Sequence, residues 1–223
     1  DTNAQTGAAY VVGGARIYRT PEELLQAEAG CIAAVVIATP IGVNEQYIHL
    51  ALDHGFTVIC DKPLLANIIQ CRTLMAKVPQ DSPRLYSIFN YTGYPAVREI
   101  RRRVAAGEIG EIFKIMAEMP QDSYLRLKNQ GRTSAIQSWR LVDGEVSCLS
   151  LDLFVHLHSL VNFITGARPE TVSAWSRAIS GVAPGLVDEV DAIIRYDNDL
   201  IVNAWYGKAA LGYRNGLKIR VFG

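Results

Sequence analysis

Neither sign of charge is in excess in this chain. Over 223 residues, 22 Lys and Arg residues balance 22 Asp and Glu residues, so nothing in the composition favours a nucleic acid or an anionic membrane surface as a partner. The longest apolar run, Cys31 to Ala38, is far too short to span a bilayer. The composition therefore predicts a globular chain with no membrane partner, long enough for one large or two small domains.

The four cysteines form no Cys-x-x-Cys pair, and their spacing is not that of a metal site. Two of them lie in or beside apolar, strand-like runs, which favours buried thiols. We expect no metal ion and a reducing, cytoplasmic setting.

A glycine-rich phosphate loop is also missing. A dinucleotide-binding fold begins with a strand that leads into Gly-x-Gly-x-x-Gly. Gly7 and Gly13-Gly14 have neither that spacing nor a strand before them, and the last apolar strand runs to the final residues. We therefore expect a piece of a longer protein, with the first strand of its sheet absent.

What the first 90 residues do contain is an alternation of strands and helices. The first two strands are continuous β-branched apolar runs, typical of strands buried on both faces of a parallel sheet. The predicted strands are Ala33 to Ala38, Thr57 to Cys60 and Leu85 to Phe89, and the predicted helices open at Pro21, at Asn44 as N-cap, and at about Leu65. This order predicts a parallel, doubly wound α/β sheet.

Two candidate site segments follow these strands. Ala38-Thr39-Pro40 leaves the first strand, and Asp61-Lys62-Pro63 leaves the second. Ligands of open parallel sheets bind outside the carboxyl ends of the strands, so the sequence predicts a lysine at the ligand-binding edge. The alternative is an ordinary surface lysine beside a turn proline.

The pattern changes after residue 90. A helix is predicted at Ala96 to Ala106 and a strand at Ile112 to Glu118. Residues 120–145 are polar and irregular, and a second helix is predicted at Leu149 to Ile164. Four later runs alternate in period two and indicate an antiparallel sheet: Thr171 to Arg177, Glu189 to Tyr196, Leu200 to Tyr206 and Leu217 to Phe222. We predict two domains, 1–90 with the truncated parallel sheet and 91–223 with an α+β fold and a mainly antiparallel sheet.

The predicted helix from Leu149 to Ile164 is apolar nearly all round, and three of its polar residues, Asp152, His156 and Ser159, share one face. A buried carboxylate and imidazole are costly without partners, so a polar cleft is expected there, with histidine as the natural proton acceptor near neutral pH. The alternative is an Asp–His pair that satisfies itself in a core. His158 points elsewhere on the helix and is interpreted as structural or partly exposed.

Four further side chains are candidates for contact with a substrate. Trp139 and Arg140 could stack on and hydrogen-bond a sugar, or else form a packing contact with a salt bridge. Tyr91 and Tyr94 border the expected cleft by their position after the last parallel strand.

These residues in their order resemble the glucose–fructose oxidoreductase / inositol dehydrogenase / MocA family of NAD(P)-dependent oxidoreductases. The resemblance spans essentially the whole chain, with the family's Ala-Thr-Pro, Glu-Lys-Pro-Leu, Gly-x-Ile-Gly-x-Ile and Asp-x-x-x-His motifs. Their counterparts here are Ala38-Thr39-Pro40, Asp61-Lys62-Pro63-Leu64, Gly107 to Ile112, and Asp152 to His156.

The resemblance implies a Rossmann domain, NAD or NADP with NAD favoured, and a sugar, inositol or polyol substrate. It further implies a homodimer or homotetramer through the C-terminal sheet, and a Lys62–Pro63 bond that is often cis. Catalytic roles are implied for Lys62, Asp152 and His156, and cofactor contacts for Ala38, Thr39, Pro40, Asp61, Lys62 and Asn90.

The chain also departs from the family pattern. Ile41 and Asn44 replace a common asparagine and histidine, and the glycines usual before the Asp-x-x-x-His helix are absent from 146–150. Two other functions therefore stay open beside hydride transfer. One is a sensor that binds a dinucleotide or sugar without turnover, and the other is a redox-neutral lyase or glycosidase that retains its NAD.

Overall fold

A computed structural model of the chain describes residues 14, 16–78, 81 and 84–223. Gly7 and Gly13, considered above for the phosphate loop, lie outside the described residues. The chain forms two compact units, the first ending at Ile88 and the second spanning Phe89–Gly223. Within the described ranges, none of the helices is long and apolar enough to cross a membrane.

The first unit alternates helices and strands. In chain order these are α1 Pro21–Ala27, β1 Ala34–Ile37, α2 Ile41–Asp53, β2 Thr57–Asp61, α3 Ile68–Lys77 and β3 Leu85–Ile88. The three strands form a parallel sheet in the order β1-β2-β3, because helical crossovers return each strand to the same direction. The predicted parallel sheet is confirmed.

Two predicted helix starts were wrong. Helix α2 begins at Ile41 after Pro40, and Asn44 lies inside it at 2% exposure rather than at its cap. Helix α3 begins at Ile68, where the side chain of Asn67 accepts a hydrogen bond from the backbone N–H of Gln70. Asparagine is a common N-cap residue, and one lies near the start of each helix. Only tertiary contacts decide which asparagine caps a helix.

Burial on both faces was predicted for β1 and β2, and this was wrong for β1. The three helices pack with one face of the sheet, where Ile37, Val58 and Cys60 are buried. On the opposite face, Val36 of β1 is 62% exposed and Tyr86 of β3 is 51% exposed. A continuous apolar run does not record which of its alternate side chains a neighbour covers.

The second unit combines one mixed sheet with helices. Its elements are α4 Pro95–Ala105, β4 Lys114–Pro120, α5 Ser123–Asn129, a π-helical turn Ser150–Phe154, α6 Val155–Thr165, β5 Pro169–Arg177, β6 Glu189–Tyr196, β7 Ile201–Gly207 and β8 Lys218–Phe222. The strand order is β5-β6-β7-β4-β8, with only the β4–β7 pair parallel. The predicted mainly antiparallel sheet is confirmed.

The core of the second unit lies between α6 and one face of this sheet. Leu157 and Val161 of the helix are buried in one cluster with Ile115 of β4 and Val202 of β7. Helix α6 ends at Gly166, whose φ of 72° is the left-handed conformation that favours glycine at a helix C-terminus. The helix therefore holds the residues before it in a fixed place over the sheet.

Two predictions for this unit need correction. Residues 120–145 are not all irregular, because α5 lies there and buries Tyr124 in a small cluster with Ile136 and Cys148. The helix predicted from Leu149 opens instead as the π-helical turn that contains Asp152. Apolar periodicity over five residues does not distinguish such a turn from an α-helix, and π-helical turns are frequent at functional sites.

Candidate functional site

The segments after β1 and β2 emerge at the same edge of the parallel sheet. Ile37 and Cys60 are paired in register, so the residues that follow each strand leave the sheet side by side. Ala38, Thr39, Pro40 and Asp61 are exposed there, and Lys62 is half-buried. The Lys62–Pro63 peptide bond is cis, as the resemblance implied.

Asn44 joins these two segments. Its Oδ1 accepts a hydrogen bond of 2.8 Å from Thr39 Oγ1, and its Nδ2 donates to the carbonyl oxygens of Pro63 at 3.2 Å and Leu64 at 3.4 Å. Asp61 adds a local contact, because its Oδ1 accepts from the backbone N–H of Lys62 at 2.9 Å. Buried polar groups need hydrogen-bond partners, and both the oxygen and the nitrogen of this buried amide have them.

In the second unit, the centre of the candidate site is the carboxylate of Asp152, which is 4% exposed. Lys208 Nζ lies 2.6 Å from Asp152 Oδ2, and Arg140 Nη2 lies 3.1 Å from Oδ1. Lys208 is itself 4% exposed. Two cations thus offset the cost of burying one carboxylate.

His156 is the second buried polar group of the candidate site, at 5% exposure. Its ring meets Tyr91 edge-on with centroids 4.7 Å apart, and Phe89 with centroids 6.1 Å apart. Tyr91 in turn meets Tyr94 at 5.5 Å, and Asn90 opens the same short turn, Asn90–Gly93. Of the predicted residues at 90, 91 and 94, Tyr91 therefore contacts the histidine, and Asn90 and Tyr94 belong to the same short turn.

Trp139 and Arg140 pack against each other, and Arg140 forms a salt bridge. This is the second of the two possibilities considered from the sequence, the first being contact with a sugar. The guanidinium lies 4.8 Å from the centre of the indole ring, and its ion pair is made with Asp152. The backbone of this turn is also held, because Tyr124 Oη donates to the carbonyl of Arg140 at 2.8 Å. Arg140 therefore belongs to the candidate site through the carboxylate that it contacts.

Lys208 is the residue that sequence reasoning missed. It directly follows β7, and its ammonium lies 5.4 Å from the centre of the Tyr124 ring as well as beside Asp152. The available signal was its place at the carboxyl end of a predicted strand, the argument that selected Lys62. It was overlooked because lysine is almost never buried without a partner, and the partner is 56 residues away in the chain.

Other titratable side chains of the second unit have structural surroundings. Burial raises the pKa of Cys148 to about 12, which keeps it a thiol and unsuited to nucleophilic chemistry. His158 stacks on Phe154, and burial lowers the pKa of its imidazole. Ser159, predicted on the polar face, is half-buried. Among residues 16–78 and 84–223, no group of three His, Cys, Asp or Glu side chains is arranged to hold a metal ion.

Each of the two units, the parallel sheet with its helices and the mixed sheet with its helices, matches the model of a known family. Residues 2–89 match the model of the oxidoreductase family with an NAD-binding Rossmann fold, and residues 97–223 match that of the GFO/IDH/MocA C-terminal domain. The chain belongs to this family. The predicted family, fold and nicotinamide-dinucleotide cofactor class are thereby confirmed.

Similar proteins support this membership at low identity. An uncharacterized oxidoreductase of Bacillus subtilis is 24% identical over 86% of this chain and 49% of its own length. Inositol 2-dehydrogenase of Corynebacterium glutamicum (strain R) is 24% identical over 91% of this chain and 56% of its own. The crystal structure of an oxidoreductase from Sinorhizobium meliloti, 27% identical, superposes with a TM-score of 0.80 over 98% of this chain and 58% of its own. The chain thus spans about half the length of the curated relatives it matches.

Proposed function

We propose that the protein is an NAD(P)-dependent oxidoreductase that transfers hydride between the nicotinamide and a hydroxyl-bearing carbon of a sugar, inositol or related polyol. The observation that carries the proposal is the buried Asp152 carboxylate with its two cations, four residues before the buried His156, in the matched C-terminal domain. Inositol 2-dehydrogenase among the relatives supports the substrate class.

The first unit is suited to hold one side of a dinucleotide. Exposed backbone at the carboxyl ends of two adjacent parallel strands is where open α/β sheets bind ligands, and Ala38, Thr39, Pro40 and Asp61 lie there. We assign these residues, with Lys62 and Asn90, to cofactor contacts, and favour NAD over NADP. The cofactor, when bound, supplies or accepts the hydride at its nicotinamide ring.

His156 is the proposed acceptor of the hydroxyl proton during oxidation of the substrate. A neutral imidazole accepts a proton near neutral pH, and the contacts of His156 with Tyr91 and Phe89 restrict its ring orientation. Lys62 is the proposed hydrogen-bond donor to the reacting oxygen, where an ammonium stabilises developing negative charge.

Asp152 is the proposed substrate anchor. Each carboxylate oxygen can accept more than one hydrogen bond, so the ion pairs with Lys208 and Arg140 are compatible with a hydrogen bond from a hydroxyl of a polyol. Tyr91, Tyr94, Trp139 and Arg140 are the proposed surroundings of that substrate. Aromatic faces with adjacent polar groups are typical of small-molecule sites.

The test is a fluorescence titration of the full gene product with NADH and NADPH, followed by assays with sugars, inositols and their oxidised forms. His156→Ala should retain cofactor binding and lose about 10²–10⁴ in kcat, the usual effect of a positioned acid or base. His158→Ala, on the same helix but outside the proposed chemistry, is the matched control and should turn over at the wild-type rate.

Three outcomes contradict the proposal in different ways. Binding without turnover of any polyol would identify the sensor alternative. Product formation without bulk change in NADH absorbance would identify a redox-neutral reaction. Wild-type turnover by His156→Ala would remove this histidine from the proton transfer while leaving the family assignment intact.

The open face of the C-terminal sheet is the proposed surface for self-association. Trp175 of β5 is 60% exposed and Ile193 of β6 is 44% exposed, on the opposite face from the core because side chains alternate along a strand. Trp175 pairs with Asp191, and Asp191 pairs with Trp205, so two indoles flank one carboxylate across neighbouring strands. We expect a homodimer or homotetramer in analytical ultracentrifugation, and a smaller species for Trp175→Glu at the same concentration.

A further inference from the structure

We propose that Asn44 is a positioning residue for Lys62, because its side-chain amide joins the segments that leave β1 and β2. For the role of Lys62, the inference rests on the proposed function. For its geometry, it rests only on hydrogen bonds within the first unit. Asn44 itself is assigned no contact with the substrate hydroxyl or with the nicotinamide.

The amide of Asn44 is matched to the groups around it. A primary amide offers one acceptor oxygen and two N–H donors. The oxygen accepts from Thr39 Oγ1, and the nitrogen faces the two successive carbonyl oxygens of Pro63 and Leu64. The asparagine side chain therefore supplies the acceptor and both donors that these three contacts need.

Asn44 is also held rigidly from behind. It lies in the first half of α2, and the same helix buries Ile48 at 0% and Ala51 at 1% exposure in the core of the unit. Because packed helices do not deform continuously, the helix acts as a fixed support for the amide. Through Asn44, the core of the unit therefore fixes the positions of the two strand-end segments.

The link to Lys62 is short. Lys62 lies between Asp61, the last residue of β2, and Pro63, whose carbonyl the amide binds. With the strand fixing one side and Asn44 the other, the backbone of Lys62 has little freedom to move. A misplacement of about 1 Å, even when caused by a residue that is not at the reacting atoms, can lower a rate about 100-fold.

Asn44→Asp is the sharpest variant. It keeps the shape and the acceptor for Thr39 but sets a carboxylate oxygen against two carbonyl oxygens. We expect kcat to fall about 100-fold, with the KM for the polyol and the NADH affinity near their wild-type values. Asn44→His, which restores one donor and one acceptor as a neutral imidazole, should recover most of this loss.

The matched control is Ile48→Val, which removes one buried methylene from the same helix without removing a hydrogen bond. If Ile48→Val lowers Tm as much as Asn44→Asp while keeping kcat, the effect of Asn44 is positional. Equal kcat losses in the two variants, or full kcat in Asn44→Asp, would overturn the inference.

Hydrogen exchange separates this inference from the proposed function. In Asn44→Asp, the backbone amides of Leu64 and Leu65 should exchange at least about tenfold faster than in Ile48→Val, because the hydrogen bonds to the carbonyl oxygens of the same two peptide units are lost and the segment opens more often. This result would support the positional role of Asn44 even if the wild-type protein turned over no polyol. Unchanged protection of these amides would overturn the inference whatever the enzyme activity.

Discussion

The two units hold their candidate site residues by different forces. In the first unit, the neutral amide of Asn44 ties Thr39 to the backbone after β2. In the second unit, the buried carboxylate of Asp152 is tied to Lys208 and Arg140 by ion pairs. Both anchors are at most 4% exposed, so they differ in charge rather than in burial.

This difference has an energetic consequence. Losing a neutral hydrogen bond leaves a dipole without a partner, at about 1–3 kcal/mol. Losing one member of a buried ion pair leaves a charge, at about 3–5 kcal/mol. The charged anchor is therefore the more sensitive to mutation, whereas the neutral anchor sets geometry with less dependence on pH and salt.

The largest expected effect is that of Lys208→Met, which keeps an unbranched chain but removes the ammonium beside Asp152. Arg140 stays as a partner, so we expect a loss near the lower end of the range, about 3 kcal/mol in the free energy of unfolding. Urea denaturation followed by circular dichroism measures it.

The double variant Lys208→Met/Asp152→Leu is the control for charge. With both buried charges removed, a large part of the stability should return, because a well-packed apolar pair often replaces a buried ion pair at little cost. If Lys208→Met unfolds at the wild-type urea concentration, the ion pair contributes nothing and the contrast between the units fails.

A smaller effect is expected for Thr39→Val in the first unit. The substitution keeps the shape of the side chain and removes the donor to Asn44 Oδ1, at a cost of about 1 kcal/mol. Thr39→Ser retains the hydroxyl and should stay close to wild type in the same denaturation experiment. A loss for Thr39→Val as large as that for Lys208→Met would show that neutral and charged anchors do not differ.

The smallest expected effect is a pH dependence from His158. Burial lowers the pKa of its imidazole, so in acid the unfolded chain binds a proton that the folded chain resists. Its contribution to stability is complete above the ordinary pKa of about 6.5 and is lost as the pH falls through that value toward the lowered one.

His158→Asn should flatten this part of the curve. The measurement is the free energy of unfolding of the wild type and the variant between about pH 5 and pH 8. Parallel curves for the two proteins would contradict the assignment of the pH dependence to His158.

Much of the fold was predictable because it depends on local pattern. The strand at Thr57 to Cys60 was predicted within one residue of its bounds, Thr57–Asp61, because β-branched residues between a glycine-ended helix and a Lys-Pro have few other conformations. The period-two runs gave the antiparallel sheet for the same reason. Which side chains of a strand the neighbouring elements cover was not predictable, and the exposed Val36 contradicts the burial inferred from its apolar run.

The candidate site divides in the same way. Lys62 was predicted as a site residue because it follows the end of a strand, and Asp152 and His156 because they interrupt an apolar helix. Lys208 was not found, since its significance depends on a carboxylate 56 residues earlier in the chain. Asn44 was predicted to be the N-cap of a helix, since asparagine is a common N-cap residue and its partners at Pro63 and Leu64 are distant in sequence.

The sequence by itself determined the alternation of elements, the family and the residue types at two strand ends and one helix. These follow from backbone preferences and side-chain periodicity, which act over a few residues. Only the tertiary structure decided that Asn44 bridges two segments, that Asp152 is held by two cations, and that Val36 and Tyr86 on one face of the parallel sheet are exposed. Each of these depends on which distant groups meet in a low-dielectric interior, where an unpaired polar group is costly and its partner must come from elsewhere in the chain.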